Sequence, residues 1–170
     1  MTGNSPNPRP VISLRLSPLS IAGELAAAIA ILLAVLIIVH FWAVLPDRIP
    51  IHFGFSGKPD AWGDKLMIWL LPTVATIMFV TLTAVSRYPH TFNYPVRITE
   101  ENARHQYLLA RSFLVWLKAE ICWLFAFIVR QQILVALGNA QRFSMELVLG
   151  MTVLIFGTVG VYLLKAYLAR

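Results

Sequence analysis

The chain has little charge and only one cysteine. Of its 170 residues, 14 are basic, 8 are acidic and 58% are hydrophobic. A soluble domain of this size usually carries about a quarter charged residues and is about half apolar. The apolar excess is too large for one small core, so the composition favours a lipid environment. Cys122 is the lone thiol, which excludes an intramolecular disulfide.

The motifs of several common enzyme and nucleotide sites are also missing. The sequence contains no GxSxG, no P-loop, no GxGxxG and no CxxC pattern. Its formal net charge of +6 would suggest nucleic acid in a soluble protein. Here the basic residues fall mainly in predicted loops, where they set membrane orientation. We therefore expect no cofactor and no nucleic-acid partner.

Four long apolar segments predict four membrane spans. A helix rises about 1.5 Å per residue, so about 20 apolar residues cross the hydrocarbon core, and lipid leaves the helix as the natural form of such a segment. The sequence thus predicts an all-α integral membrane protein, with a flexible tail over residues 1–20 and a single domain over 21–170. The predicted spans are about 21–44, 66–85, 112–130 and 147–164.

Lysine and arginine residues indicate the orientation of the chain. They are more numerous in the tail, in the loop between the second and third spans and at the C-terminus than in the other two loops. The positive-inside rule then predicts both termini in the cytoplasm. The loop between the first two spans would lie outside the cytoplasm, and the protein would be a multi-pass protein of the cell membrane.

Small residues at helical spacing predict close helix packing. In the first span, alanines four residues apart fall on one face, and such faces let another helix approach closely. These alanines are Ala22, Ala26, Ala30 and Ala34. The glycines Gly150, Gly157 and Gly160 predict the same kind of packing for the fourth span.

Two charges fall inside the third apolar segment. Lys118 and Glu120 are two residues apart, so they lie on roughly opposite faces of a helix and do not pair with each other. A charge at the bilayer centre costs about 2.5–3.5 kcal/mol on insertion scales. Lys118 is long enough to extend to the interface. Glu120 would be the true intramembrane charge, with a structural polar contact on another helix favoured over a functional role.

The segment 45–65, LPDRIPIHFGFSGKPDAWGDK, is the most informative part of the chain. Apolar residues alternate from Ile49 to Phe55, which predicts an extended strand with one apolar face, and Ser56-Gly57 predicts a turn. Closely spaced proline and glycine residues should hold one conformation. We expect a shaped recognition surface, whose candidate binding residues are Pro46, Pro50, His52, Phe53, Gly57, Asp60, Trp62 and Lys65.

A metal site in this loop is the alternative. His52 could bind an ion together with Asp60 or Asp64. One histidine and two aspartates without close spacing make a weak pattern beside an HExxH motif or paired CxxC motifs. We favour hydrogen bonds that shape the loop and expect no metal.

The pattern LPxxIPxHF…G…D…K resembles the domain of unknown function 1648. The matching residues lie within about 30–75 and are Leu45, Pro46, Ile49, Pro50, His52, Phe53, Gly57, Asp60 and Lys65. The later segments FNYPV and ITEENARHQY are similar to stand-alone members of this group. The same domain forms the N-terminal part of bacterial immunity proteins against a sporulation-delaying toxin. The resemblance implies a bacterial inner-membrane protein with several helices, and it transfers no catalytic residue.

These observations give one main functional hypothesis and two alternatives. The main hypothesis is a binding or accessory membrane protein, immunity- or signalling-related, whose loop 45–65 recognises an extracytoplasmic peptide, lipid or membrane subunit. One alternative is a metal-assisted membrane enzyme that uses His52 with Asp60 or Asp64. The other is a small transporter subunit that uses Glu120. Beyond the lipid bilayer, the sequence identifies no partner and no oligomeric state.

Overall fold

The computed structural model describes residues 9–15 and 17–170, and these form four long helices and one small sheet. The helices are α1 (Pro18–Phe41), α2 (Leu70–Val85), α3 (Ala103–Ala136) and α4 (Met145–Leu168). A 3-10 turn, Lys65–Trp69, leads directly into α2. With this turn included, all four are long and apolar enough to cross a membrane. The prediction of four spanning helices is confirmed at that level.

The prediction of an all-α chain is wrong in one respect. Strands β1 (Arg48–Phe53) and β2 (Pro59–Asp64) pair antiparallel between α1 and α2. Helix boundaries also differ from the predicted spans, most of all in α3. That helix has 34 residues, a length of about 51 Å, whereas the hydrocarbon core is about 30 Å thick. Helix α3 is therefore long enough to extend beyond the core.

Helices α1 and α3 pack through small residues. The buried face of α1 consists of Gly23, Ala27, Ala30, Ala34 and Ile38. At Gly23, a Cβ atom would lie 2.4 Å from Val115 Cγ1, which leaves no space for a side chain. This face differs from the predicted alanine ladder, because Ala22 is exposed and Ala26 only partly buried. Strict four-residue spacing rotates about 40° per step around a helix, so four alanines cannot all stay in one contact.

The glycines of α4 do not pack as predicted. A Cβ atom added at Gly150, Gly157 or Gly160 would meet no other described part of the chain within 4 Å. Among the described residues, α4 makes most of its helix contacts with α3. The small-residue rule fails here because it applies only where another helix packs against the small residues. Most of the α4 surface is open, including the surroundings of these glycines.

The β1–β2 hairpin closes one end of the helix bundle. Residues 45–65, here called the hairpin cap, bury Leu45 and Ile49 between the ends of α1 and α3. A register shift falls between Pro50, opposite Trp62, and His52, opposite Ala61. This irregularity breaks the predicted alternation, since adjacent residues Ile49 and Pro50 are both buried. The prediction of a single apolar face from 49 to 55 is therefore wrong.

A hydrogen-bonded turn leads into α3. Thr99 and Asn102 exchange hydrogen bonds, with each backbone N–H donating to the other's side-chain oxygen at 2.9 and 3.3 Å. The N-cap residue of α3 is Asn102, which makes no side-chain hydrogen bond to the helix, so these two bonds stabilise the turn before it. Glu100 and Glu101 lie in the turn before Ala103 and not in the helix itself.

Part of the N-terminal tail contacts the folded chain. The Arg9 guanidinium donates to the Phe92 carbonyl at 2.5 Å, and the Tyr107 hydroxyl donates to the Pro10 carbonyl at 3.1 Å. Tyr94 lies beside this contact. Its pKa is raised, mainly because the side chain is buried and secondly because Tyr107 is close to it. Residues 1–8 and 16 lie outside the described residues, so a flexible tail stays a prediction there.

Glycine at position 57 should be essential for seating the hairpin cap. Gly57 has a φ of +75°, and a Cβ atom there would lie 2.3 Å from the Phe143 carbonyl oxygen. Gly138 has a φ of +74° but open space around it. Gly138→Ala should lose about 1–2 kcal/mol from backbone strain alone. Gly57→Ala should lose clearly more, as a lower Tm in detergent. Equal Tm values for the two variants would show that the cap does not dock on Phe143.

Candidate functional site

The base of the hairpin cap is fixed to the bundle. Ile49 is fully buried in a cluster with Ile38, Ile68, Val129 and Ile133. Next to it, the Gln132 side chain donates a hydrogen bond of 2.6 Å to the Pro50 carbonyl. Proline has no N–H to offer, so Pro50 makes this polar contact with α3 through its carbonyl. The cap is thereby attached by both apolar and polar contacts.

The tip of the cap docks on the segment between α3 and α4. The Phe143 N–H donates to the Gly57 carbonyl at 2.8 Å, and the Phe53 and Phe143 rings lie 4.7 Å apart. A second hydrogen bond, from the Gly57 N–H to the Gly54 carbonyl, closes the turn at 2.8 Å. The turn is therefore held from both sides and presents its outer face in a fixed position.

His52 meets Asp60 across the hairpin. The Nδ1 atom of His52 lies 2.5 Å from Asp60 Oδ1, and the two side chains are 69% and 51% exposed. Asp64 instead accepts from the Leu66 N–H at 2.7 Å and caps the 3-10 turn. Asp60 and Asp64 are four positions apart along strand β2, a distance of about 13 Å. The structure thus brings together His52 and Asp60, and the described residues contain no group of three potential metal ligands among His, Cys, Asp and Glu.

The remaining predicted loop residues lie around the α1 side of the cap. Lys65 Nζ is 3.2 Å from Asp47 Oδ1 and 5.2 Å from the Trp42 ring centre. The Arg48 guanidinium donates to the Trp62 carbonyl at 3.1 Å, while the Trp62 side chain stays exposed. Pro46 is also exposed, in the link from α1 to β1. These contacts shape the cap and leave its aromatic surface open.

A pocket of about 370 Å³ lies beside β1. Its walls are mostly apolar, and His52 and Gln132 supply the polar side chains at its edge. It is lined by Ile51, His52, Phe53, Met67, Leu70, Leu71, Ile128, Gln132, Phe143, Met145 and Val148. We call it the cap pocket. It could hold one large apolar side chain or a short length of acyl chain.

Lys118 is buried in the bundle and does not extend to the interface. Its side chain is 1% exposed, and its Nζ donates to Glu24 Oε1 at 2.7 Å, to Glu24 Oε2 at 2.6 Å and to Thr83 Oγ1 at 2.6 Å. The Phe79 ring centre lies 4.4 Å away. The expectation of an extended side chain is wrong because a counter-ion on α1 neutralises the ammonium where it stands. We call Lys118, Glu24 and Thr83 the three-helix cluster.

Sequence reasoning did not single out Glu24. A signal was present, since Glu24 is the one acidic residue of the first apolar segment. A lone acid in one span and a lone lysine in another are natural partners, because unpaired charges in lipid are costly. Pairing them requires the relative depth of α1 and α3, which hydropathy alone does not provide.

Glu120 lies on another face of α3 and contacts α4. The Thr158 hydroxyl donates to Glu120 Oε1 at 2.6 Å. The second oxygen, Oε2, is buried and has no hydrogen-bond donor among the described residues. A cavity of about 650 Å³ between α3 and α4 includes Glu120 in its lining. We call it the α3–α4 cavity. Glu120 therefore has a partner on another helix, as expected, but only half of its carboxyl group is paired.

Comparison with known proteins finds a family match that spans the hairpin cap and parts of the helices on either side of it. Residues 28–76 match the family described as "Domain of unknown function (DUF1648)". An uncharacterized protein of the archaeon Archaeoglobus fulgidus is 34% identical over 86 residues, which cover 42% of this chain and 46% of that protein. The chain thus matches less than half the length of this relative. No solved structure matches the chain.

The three-helix cluster should contribute strongly to stability. Lys118→Leu leaves Glu24 without its counter-ion, and breaking a buried pair in this way costs about 3–5 kcal/mol. The double variant Lys118→Leu/Glu24→Leu should recover most of the loss. As a control, Glu146→Leu breaks an exposed pair with Arg142 and should cost a few tenths of a kcal/mol. Unfolding in detergent measures each change, and a double variant as unstable as Lys118→Leu would contradict the pairing.

Proposed function

We propose that this chain is a membrane binding or accessory protein, whose hairpin cap binds an extended peptide segment of an extracytoplasmic partner. The observation that supports this most is the contrast within the cap. Its base is buried and hydrogen-bonded, whereas the Phe55 side chain at its tip is fully exposed. A surface that is already ordered loses less entropy on binding.

The exposed side chains of the cap have the character of a recognition surface. Phe55 stands at the turn, and Trp62 and Ile51 are 47% and 42% exposed. Aromatic residues are enriched where proteins bind each other, because they offer large contact area with few rotatable bonds. They also occur at the membrane interface, so lipid anchoring is the competing explanation.

The cap pocket supports a peptide as the partner. Its apolar walls can accept one large side chain, and His52 stands at its edge with Nδ1 already held by Asp60. The second ring nitrogen, Nε2, is left to bond a backbone or side-chain group of the ligand. An apolar pocket beside a polar group is typical of sites that recognise a side chain in an extended peptide.

We further propose an immunity- or signalling-related role in a bacterial cell membrane. This step rests on the resemblance of the cap to the N-terminal part of toxin-immunity proteins. It also requires that the cap face outward and that both termini lie in the cytoplasm, as the lysine and arginine distribution favours. A metal-assisted reaction has less support, since only His52 and Asp60 come together in the cap.

Photocrosslinking from the cap tests the peptide proposal. A benzoylphenylalanine at position 55, in native membranes, should give a protease-sensitive adduct. The same group at Phe156, an exposed phenylalanine in α4, should give lipid adducts only. Because His52 contributes a hydrogen bond of about 1 kcal/mol, His52→Ala should reduce the peptide adduct about five-fold. Lys58→Ala is the matched control and should leave it unchanged. Lipid adducts alone at both positions would favour membrane anchoring and contradict the proposal.

Cysteine labelling tests the orientation. In a Cys122→Ser background, Ser56→Cys in the exposed hairpin turn should react with an impermeant maleimide in intact cells. Glu101→Cys, exposed in the turn before α3, should react only after the membrane is opened. Glu101 is preferred to the adjacent Asn102, whose side chain caps the turn. Labelling of Glu101→Cys alone in intact cells would reverse the orientation.

A further inference from the structure

We propose that the α3–α4 cavity holds one acyl chain of an anionic phospholipid, with the phosphate of the headgroup beside Lys165. This site is separate from the hairpin cap and does not depend on the function proposed for the cap. The cavity lies between two helices that are long and apolar enough to cross a membrane, and its walls are mostly apolar. An apolar cavity offers water no partners, so in a membrane the natural occupant is hydrocarbon.

The length of the cavity matches one leaflet of a bilayer. Its lining on α4 extends from Val153 to Lys165, a helical rise of about 18 Å. Half of a hydrocarbon core about 30 Å thick is about 15 Å. The cavity therefore accommodates a chain that enters at the interface beside Lys165 and ends near the bilayer centre. This chain belongs to a lipid of the leaflet that contains the C-terminal end of α4.

Lys165 supplies an uncompensated charge at the outer end of the cavity. It lies exposed in the last turn of α4, and among the described residues no carboxylate oxygen lies within 4 Å of its Nζ. Lys65 and Lys118, in contrast, each pair with an acid. Basic pockets between membrane helices bind anionic headgroups. The charge at this end therefore favours a lipid with a net negative headgroup over a zwitterionic one.

The lining next to Lys165 suits the ester region of a phospholipid. Phe113 of α3 stacks on Tyr162 of α4 with ring centres 4.3 Å apart, which sets the relative depth of the two helices. Ser112 lines the cavity at the same level, and Lys165 follows Tyr162 by less than one helical turn. The ester carbonyls of a phospholipid lie just deeper than its phosphate. The Ser112 hydroxyl is therefore at the right depth to donate to one of them.

The inner end of the cavity presents little polar surface to the chain. The Thr158 hydroxyl donates to Glu120 Oε1, and Glu120 Oε2 is buried beneath the surface. Val153 and Leu154 contribute apolar side chains at this end. A polar headgroup gains no contact there, whereas the end of an acyl chain does. The two ends of the cavity thus fix the direction of the lipid, with its headgroup at Lys165.

The test is photolabelling of the full chain in phosphatidylcholine nanodiscs with trace lipids that carry a diazirine on one acyl chain. Labelled phosphatidylglycerol should modify cavity residues about five-fold more than labelled phosphatidylcholine, which corresponds to about 1 kcal/mol for one lysine. Lys165→Gln should remove this preference. Arg104→Gln changes an exposed cation at the same end of α3 that lies outside the cavity lining, and it should keep the preference. Equal labelling by the two lipids in the wild type, or a preference that survives Lys165→Gln, overturns the proposal.

Gly157→Leu separates a lipid in the cavity from lipid elsewhere on the surface. Gly157 lines the cavity, and a Cβ atom there meets no other described part of the chain within 4 Å, so leucine should fill the site without disturbing the fold. Labelling of cavity residues by both lipids should fall several-fold. Gly150→Leu is the matched control, since Gly150 is equally open but lies outside the cavity. Unchanged labelling in Gly157→Leu overturns the proposal, and so does displacement of labelled phosphatidylglycerol by soluble glycerol phosphate.

Discussion

The ion pair between Lys118 and Glu24 is the constraint on which the helix packing depends. An ammonium group this deep in an apolar bundle must be paired where it stands, because neither lipid nor a dry core solvates it. Glu24 meets it from α1 and Thr83 from α2. These contacts fix the depth and rotation of both helices against α3. Small residues on the same face of α1, such as Gly23 and Ala27, then allow the close approach that the pair requires.

Helix α3 carries further polar side chains at other depths, and each of them bonds to another part of the fold. Gln106 donates to carbonyls at the end of α4, Glu120 accepts from Thr158 in the middle of α4, and Gln132 donates to the hairpin cap. Each polar side chain reaches a different element, and the apolar residues between them fill the space. In lipid, apolar surfaces do not drive helices together as they do in water, so such polar contacts and close packing carry the specificity. The order of polar residues along α3 therefore specifies which element docks where.

Hydropathy was sufficient to predict the four helices, because in lipid the backbone can pair all of its hydrogen-bonding groups in only a few structures. Details that depend on contacts between different elements could not be predicted from hydropathy. The register shift beside Ile51 depends on how β1 meets both β2 and α3, and it leaves Ile51 exposed next to the buried residues Ile49 and Pro50. The pairing of Lys118 with Glu24 depends on the relative depth of two helices. Treating α3 as an isolated helix led to an extended lysine, which is a reasonable state only for a helix without neighbours.

The hairpin cap and Glu120 differ in what the fold leaves unsatisfied. In the cap, the backbone groups at the base and turn are paired, and what stays open is apolar and aromatic surface around Phe55. At Glu120, the apolar surroundings are ordinary for a membrane helix, and what stays open is a single carboxyl oxygen. Apolar surface is satisfied by any apolar partner, whereas a buried oxygen is satisfied only by a hydrogen-bond donor. A partner of matching shape can therefore complete the cap, whereas the Glu120 oxygen has no accessible surface and can gain a donor only if the chain around it rearranges.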